Sequence, residues 1–231
     1  MTMTRETQFQ KELEELKENL LKMATLVEET IHDAVQSLVK RDSELANQTF
    51  KREKQINDME LAIDKMCLKL LALRQPMAVD LRFITSAMKI ITDLERMGDQ
   101  AVNIAERALS LNQEPQLKPY IDLPRMAEIA QSMVKDVLDA FVNQDSKLAR
   151  SVCERDDLVD GLNDQVFREL LTYMISDQKT ITRAVHLIIV GRCLERIADH
   201  ATNIAEDVIF MVDALVIKHR ADAKEETKKE G

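Results

Sequence analysis

Tryptophan is missing from this sequence, and aromatic residues of any kind make up only 3% of it. Glycine and proline are almost as scarce, at four each in 231 residues. Few positions are therefore suited to breaking regular structure, and the abundance of Leu, Ala, Met, Glu, Lys and Gln favours long helices. No glycine-rich loop that could cradle a nucleotide phosphate is present. Cysteine is represented three times, at Cys67, Cys153 and Cys193. An odd, scattered set speaks against a disulfide framework and a cysteine metal site, and it fits reduced thiols in a cytoplasmic protein. Excess positive charge is also lacking. With a formal net charge of -9, the chain has little to neutralise the phosphates of nucleic acid or an anionic membrane surface. No apolar run approaches the roughly 18 residues of a membrane span, and the N-terminus has no signal-peptide core. Neither nucleic acid nor membrane insertion is expected.

What is present is a duplication. Met23–Asn47 (MATLVEETIHDAVQSLVKRDSELAN) aligns with Met126–Arg150 (MAEIAQSMVKDVLDAFVNQDSKLAR), and both end in Asp-Ser-x-Leu-Ala. Further on, Asp93–Glu106 (DLERMGDQAVNIAE) matches Cys193–Glu206 (CLERIADHATNIAE). Repeats at such spacing mean that one helical unit was copied. The fold class is all-α: two tandem three-helix bundles packed side by side. The first repeat takes residues 1–112, the second residues 113–231 with a short charged tail. Helices are predicted over Phe9–Arg41, Asp42–Leu73 and Pro76–Leu109, then over Leu123–Asn143, Asp145–Ile175 and Asp177–Val216. Ser110–Leu123 links the repeats, and Lys218–Gly231 is a frayed tail. Asp42 and Asp145 suit N-caps, and Pro76 suits a first helical turn. The apolar stripe of the second helix runs through Leu45, Thr49, Ile56, Met59, Ile63, Met66 and Leu70. That of the third includes Ile84, Ile91, Leu94, Gly98, Ala101, Ala105 and Ala108, whose small members permit close helix approach. Helices of about 30 residues would be about 45 Å long.

Beside these stripes lie carboxylates. Glu95 and Asp99 are one turn apart on the third helix, and Glu195 and Asp199 repeat them. The second helix carries Glu53 and Asn57 in the first repeat, Asp156 and Asp160 in the second. In an antiparallel hairpin, residues equidistant from the turn sit at equal height. Glu53/Asp99 and Asn57/Glu95 share a midpoint at Pro76. Asp156/Asp199 and Asp160/Glu195 share one between Asp177 and Gln178. Each hairpin therefore gathers four oxygen-bearing side chains. Grouped like charges repel unless a cation answers them, and hard metals want such ligands. One metal site or small cluster per repeat follows, for divalent or trivalent iron, manganese, magnesium or zinc. The bland alternative is a solvated face with Arg96 and Arg196 as counter-charges. Asn103, Glu106, Asn203 and Glu206 also recur and are candidates, with the two arginines, to orient the ligands.

RQPMAVDLR (Arg74–Arg82) and the two LER-containing segments resemble the helix turn and signature segments of the PhoU family. The likeness spans nearly the whole chain. It implies two three-helix bundles and metal clusters on Glu95/Asp99 and Glu195/Asp199 with their second-helix partners. Asn57 departs from the acidic pattern, which implies a first cluster that is smaller, weaker or absent. It also implies a negative regulator of the phosphate-starvation response rather than an enzyme. That regulator would link the ATPase subunit of a phosphate transporter to a sensor histidine kinase. A homodimer through the outer helix faces is open. Two other classes compete. A di-metal oxidase would need a Glu-x-x-His motif, but Gly98 and Ala198 stand where the histidines belong. A histidine phosphotransfer module would use His32 or His200, and neither recurs in the other repeat. His186 and His219 have no supporting constellation, and the methionines fit core filling.

Overall fold

The structure, a computed structural model, describes the backbone of residues 2–216 and the side chains of residues 8–216. The expected tail and His219 lie outside the described residues. Among the described residues seven α-helices follow in order: α1 Thr2–Val39, α2 Ser43–Arg74, α3 Ala78–Asn112, α4 Asp122–Asn143, α5 Ser146–Cys153, α6 Asp156–Ser176 and α7 Ile181–Asp213. A single 3₁₀ turn, Gln178–Thr180, precedes α7. No strand occurs among the described residues. Among the described residues no helix is long and apolar enough to cross a membrane.

Both Asp-Ser junctions start helices for the same reason. Asp42 accepts the backbone N–H groups of Glu44 and Leu45, and Asp145 accepts those of Lys147 and Leu148. Each cap satisfies donors that a first turn leaves orphaned. Two local expectations are corrected. Pro76 precedes α3 instead of opening it. The backbone is left-handed at Gln75 (φ 49°) and again at Ala78 (φ 45°), so no right-handed turn runs through the proline. The helix predicted from Asp145 to Ile175 is broken at Glu154–Arg155. There the Arg155 side chain takes the Ser151 carbonyl (Nε···O 3.4 Å), and the Arg155 N–H moves to Val152 (3.0 Å). The same guanidinium reaches Asp136 on α4 at 2.6 Å. Its counterpart Arg52 binds Asp33 of α1 from an unbroken helix.

α1, α2 and α3 pack mutually; α4 and the α5–α6 pair pack on α7 in the same way. The buried seam of α2 runs through Ala46, Thr49, Ile56, Ile63, Cys67 and Leu70. Leu45, Met59 and Met66 of the predicted stripe are only half-buried. Gly98 lets α2 close on α3: a Cβ there would stand 3.2 Å from Ile56. The repeats join along α3 and α7, which pack as extensively as any pair and run antiparallel. Arg82 Nε donates to the Met211 carbonyl (3.1 Å), Lys89 meets Asp207 (2.6 Å), and Asp93 meets His200 (2.9 Å). One continuous apolar core runs through both repeats. The connection between them is pinned from both sides. Arg41 donates to the carbonyls of Leu111 and Asn112, Arg183 donates to that of Pro115, and buried Lys118 binds Glu169.

Candidate metal-binding patches on the two hairpins

Glu95 sits half-buried on α3, in the field of Asp99, Glu60 and Glu53, with Arg96 the nearby counter-charge. Loss of water first, then repulsion from these carboxylates, raises its pKa from the ordinary value. Glu195 sits equivalently on α7. Burial and the charges of Asp160, Asp199 and Asp156 raise its pKa, against Arg192. Asp199 is raised by burial, against His200 and Arg196. The two hairpins thus bring together side chains from facing helices: Glu53, Glu60, Glu95 and Asp99 on one, Asp156, Asp160, Glu195 and Asp199 on the other.

Asn57 donates to Glu53, one turn before it. Its carbonyl oxygen is buried without a hydrogen-bond partner. An amide oxygen left in that state beside carboxylates is a donor that a hard cation would satisfy. The donor set is all-oxygen and suits such a metal. No group of three or more acid, histidine or cysteine side chains converges to ligating distance among the described residues. The helices therefore bring the donors to the right neighbourhood, and the side chains themselves are not closed on one point.

Two members escaped the sequence reading. Glu60 lies two turns beyond Glu53, on the same face of α2. Its counterpart Asn163 donates to Glu195 at 2.8 Å. Gly191 makes room for it, since a Cβ there would meet the Asn163 amide oxygen at 2.7 Å. The seven-residue spacing from Glu53, and from Asp156 to Asn163, was the available signal.

The orienting candidates divide. Arg96 and Arg196 are exposed beside the carboxylates. Glu106 binds neighbouring Arg107 (3.1 Å) instead of reaching across. Glu206 is half-buried on α7. Asn203 turns away from the patch and donates to Asp93 across the repeat junction (3.4 Å). Asn103 lines a cleft between α3 and α7. His200 is mostly buried, with Nδ1 on Asp93. His32 lines a separate surface cleft with Glu28, Asp33 and Arg52. His186 is half-buried beside Arg107, and burial lowers its pKa. The thiols are ill-suited as ligands: burial pushes Cys67 up to about 12 and Cys193 up to about 11.

The PhoU domain profile matches residues 20–108 and again 123–208, one match per repeat. This chain belongs to the PhoU family. A curated PhoU homologue from Aquifex aeolicus, described as a phosphate-specific transport system accessory protein, is 49% identical over 91% of this chain and 95% of its own. One from Pseudomonas aeruginosa with the same description is 44% identical over 92% of this chain and 88% of its own. Among solved structures, PhoU from Pseudomonas aeruginosa superposes with a TM-score of 0.87 at 44% identity, covering 90% of this chain and all of that one. The phosphate transport system regulatory protein PhoU from Streptococcus pneumoniae gives 0.84 at 31%, covering 91% and 100%. The PhoU fold, two helix bundles in tandem, is thus the architecture of this chain.

Proposed function

We propose that this protein is a regulatory accessory protein of phosphate-specific transport. It acts in the cytoplasm as a negative regulator of the phosphate-starvation response, without catalysing a reaction. In this reading it links the ATPase subunit of the transporter to a sensor histidine kinase. It carries iron, manganese, magnesium or zinc on the hairpin carboxylates. The observation that carries the regulatory reading is the full-length match of both repeats to relatives described as transport accessory proteins. The metal reading is supported by the mutual repulsion at Glu95 and Glu195 and by the orphaned Asn57 oxygen. Glu95 and Asp99 with Glu53, Asn57 and Glu60 would hold the first metal. Glu195 and Asp199 with Asp156 and Asp160 would hold the second, and Asn163 would steady Glu195. Bound metal would supply the positive charge that these patches lack and lock each helix pair together.

The competing classes find less support. Gly98 and Ala198, where an oxidase would place histidines, pack in the helix contacts. His200 keeps only 14% of its side chain exposed and is engaged by Asp93, a poor posture for a phosphoryl acceptor. The test is retention of partners on the tagged chain, from detergent-solubilised membranes of phosphate-replete cells. The transporter ATPase and the sensor kinase should be retained by the native chain. Recovery of neither would overturn the adaptor reading.

A further inference from the structure

The two repeats are not equal where α3 crosses α7. The antiparallel contact that sets Asp93 against His200 sets Gln100 against Cys193 on the other side of the pseudo-twofold. In the first-repeat groove a carboxylate is provided from within: Asp93 accepts from Asn203 (3.4 Å) and meets His200 (2.9 Å). In the second-repeat groove the equivalent of Asp93 is Cys193, a thiol in place of a carboxylate. The equivalents of His200 and Asn203 are Gln100 and Asn103, and both line an open cleft of about 540 Å³. Gln100 is only 8% exposed, yet its side-chain amide has no hydrogen-bond partner among the described residues.

Charge changes in the same direction. Thr92 of the first groove becomes Arg192, Lys89 becomes Ile189, and Asp207 becomes Arg107. Arg96 is matched by Arg196. The first groove thus carries two cations balanced by two carboxylates; the second carries three arginines and no carboxylate at the same places. Arg192 and Arg196 line the cleft beside Cys193. Arg192 and Arg196 form no ion pair among the described residues; Arg107 pairs with Glu106 through one guanidinium nitrogen (3.1 Å) while its Nε is buried without a partner. Donors that converge on a site whose internal anion has been removed call for an anion from outside.

We propose that this cleft between α3 and α7 binds a phosphate group, held by Arg192, Arg196, Gln100 and Asn103 in the place that the Asp93 carboxylate fills in the other repeat. Two carboxylates, Glu195 and Asp199, form one wall. They select among anions. Monohydrogen phosphate, and a phosphate monoester in its monoanionic form, carry an O–H that a carboxylate or an amide oxygen accepts, whereas sulfate has no proton to donate and meets only repulsion there. Glu195 and Asp199 are shared with the proposed metal patch, and testing chelator-treated protein separates failure of this proposal from failure of the metal reading.

The test is calorimetric titration of chelator-treated full-length protein with inorganic phosphate, with phenyl phosphate in a parallel arm and sulfate as the control anion. One phosphate group per chain is expected. Tighter binding of the inorganic ion assigns the cleft to free phosphate, and tighter binding of the ester assigns it to a phosphate carried on a larger molecule. Cys193→Asp, which restores the internal carboxylate, should abolish binding. Arg192→Thr, which installs the residue of the other repeat on an exposed position, should weaken it about tenfold or more. Absence of phosphate binding by the native chain would overturn the proposal. So would native affinity in both variants, and sulfate binding as tightly as phosphate would mark an adventitious ion only.

Discussion

Glu95, Glu195 and Asp199 are carboxylates that folding makes harder to ionise. Their ordinary values are 4.5, 4.5 and 3.8, and burial raises each in the native state. A native carboxyl with a raised pKa holds its proton more tightly than the unfolded chain does. Its contribution to stability is therefore present below the unfolded value and is lost as pH rises through the folded one. This is the opposite of the usual salt-bridged carboxylate. Metal-free protein should accordingly lose stability from these groups as pH rises through and beyond their ordinary carboxylate values. Thermal melts in chelator across that range should show a shallower decline for Glu195→Gln than for the native chain. Parallel declines would mean that Glu195 is not electrostatically strained. A hard cation should reverse the sign, because the ionised form then has a partner.

At the scale of the helix, the ends carry measurable energy. Asp42 and Asp145 each cap a helix through two backbone N–H groups. Asp42→Ala and Asp145→Ala should each cost about 1 kcal/mol in denaturant unfolding. Gln144, at the end of α4, is left-handed at φ 53°. Gln144→Gly removes the Cβ penalty of that conformation and should add up to about 1 kcal/mol. A loss on that substitution would show that the side chain contributes something the backbone angle does not reveal. The caps were legible because the Asp-Ser signal is local: an aspartate supplies the bond within its own turn. The break at Glu154–Arg155 was not, because Arg52 makes the equivalent reach to Asp33 from an unbroken helix, so the residue pattern does not mark the difference. The heights at which Glu53, Glu95 and Asp99 fall were readable, since a tight turn fixes register in a hairpin. The meeting of Asp93 with His200 was not, because no short turn connects α3 to α7. Their register is set by packing and by the pinned connection.

At the scale of the whole molecule, the repeats are two by sequence and one by core. Leu94, Met97, Ile104, Leu194, Ile197 and Ile204 belong to a single buried cluster. Polar ties at Lys89–Asp207 and Asp93–His200 cross the same junction. A shared core makes the halves unfold together. Calorimetry of metal-free protein should therefore give one transition, with the van't Hoff and calorimetric enthalpies equal. Two resolved transitions would mean that each bundle is stable alone.

The central claim is that the facing acidic side chains of α2 with α3, and of α6 with α7, hold metal. Anomalous diffraction from crystals soaked in manganese tests it most directly. The account predicts a peak beside Glu195, Asp199, Asp156 and Asp160, and a weaker one beside Glu95, Asp99 and Asn57. Fully ordered hairpins with no anomalous density at either patch would contradict it.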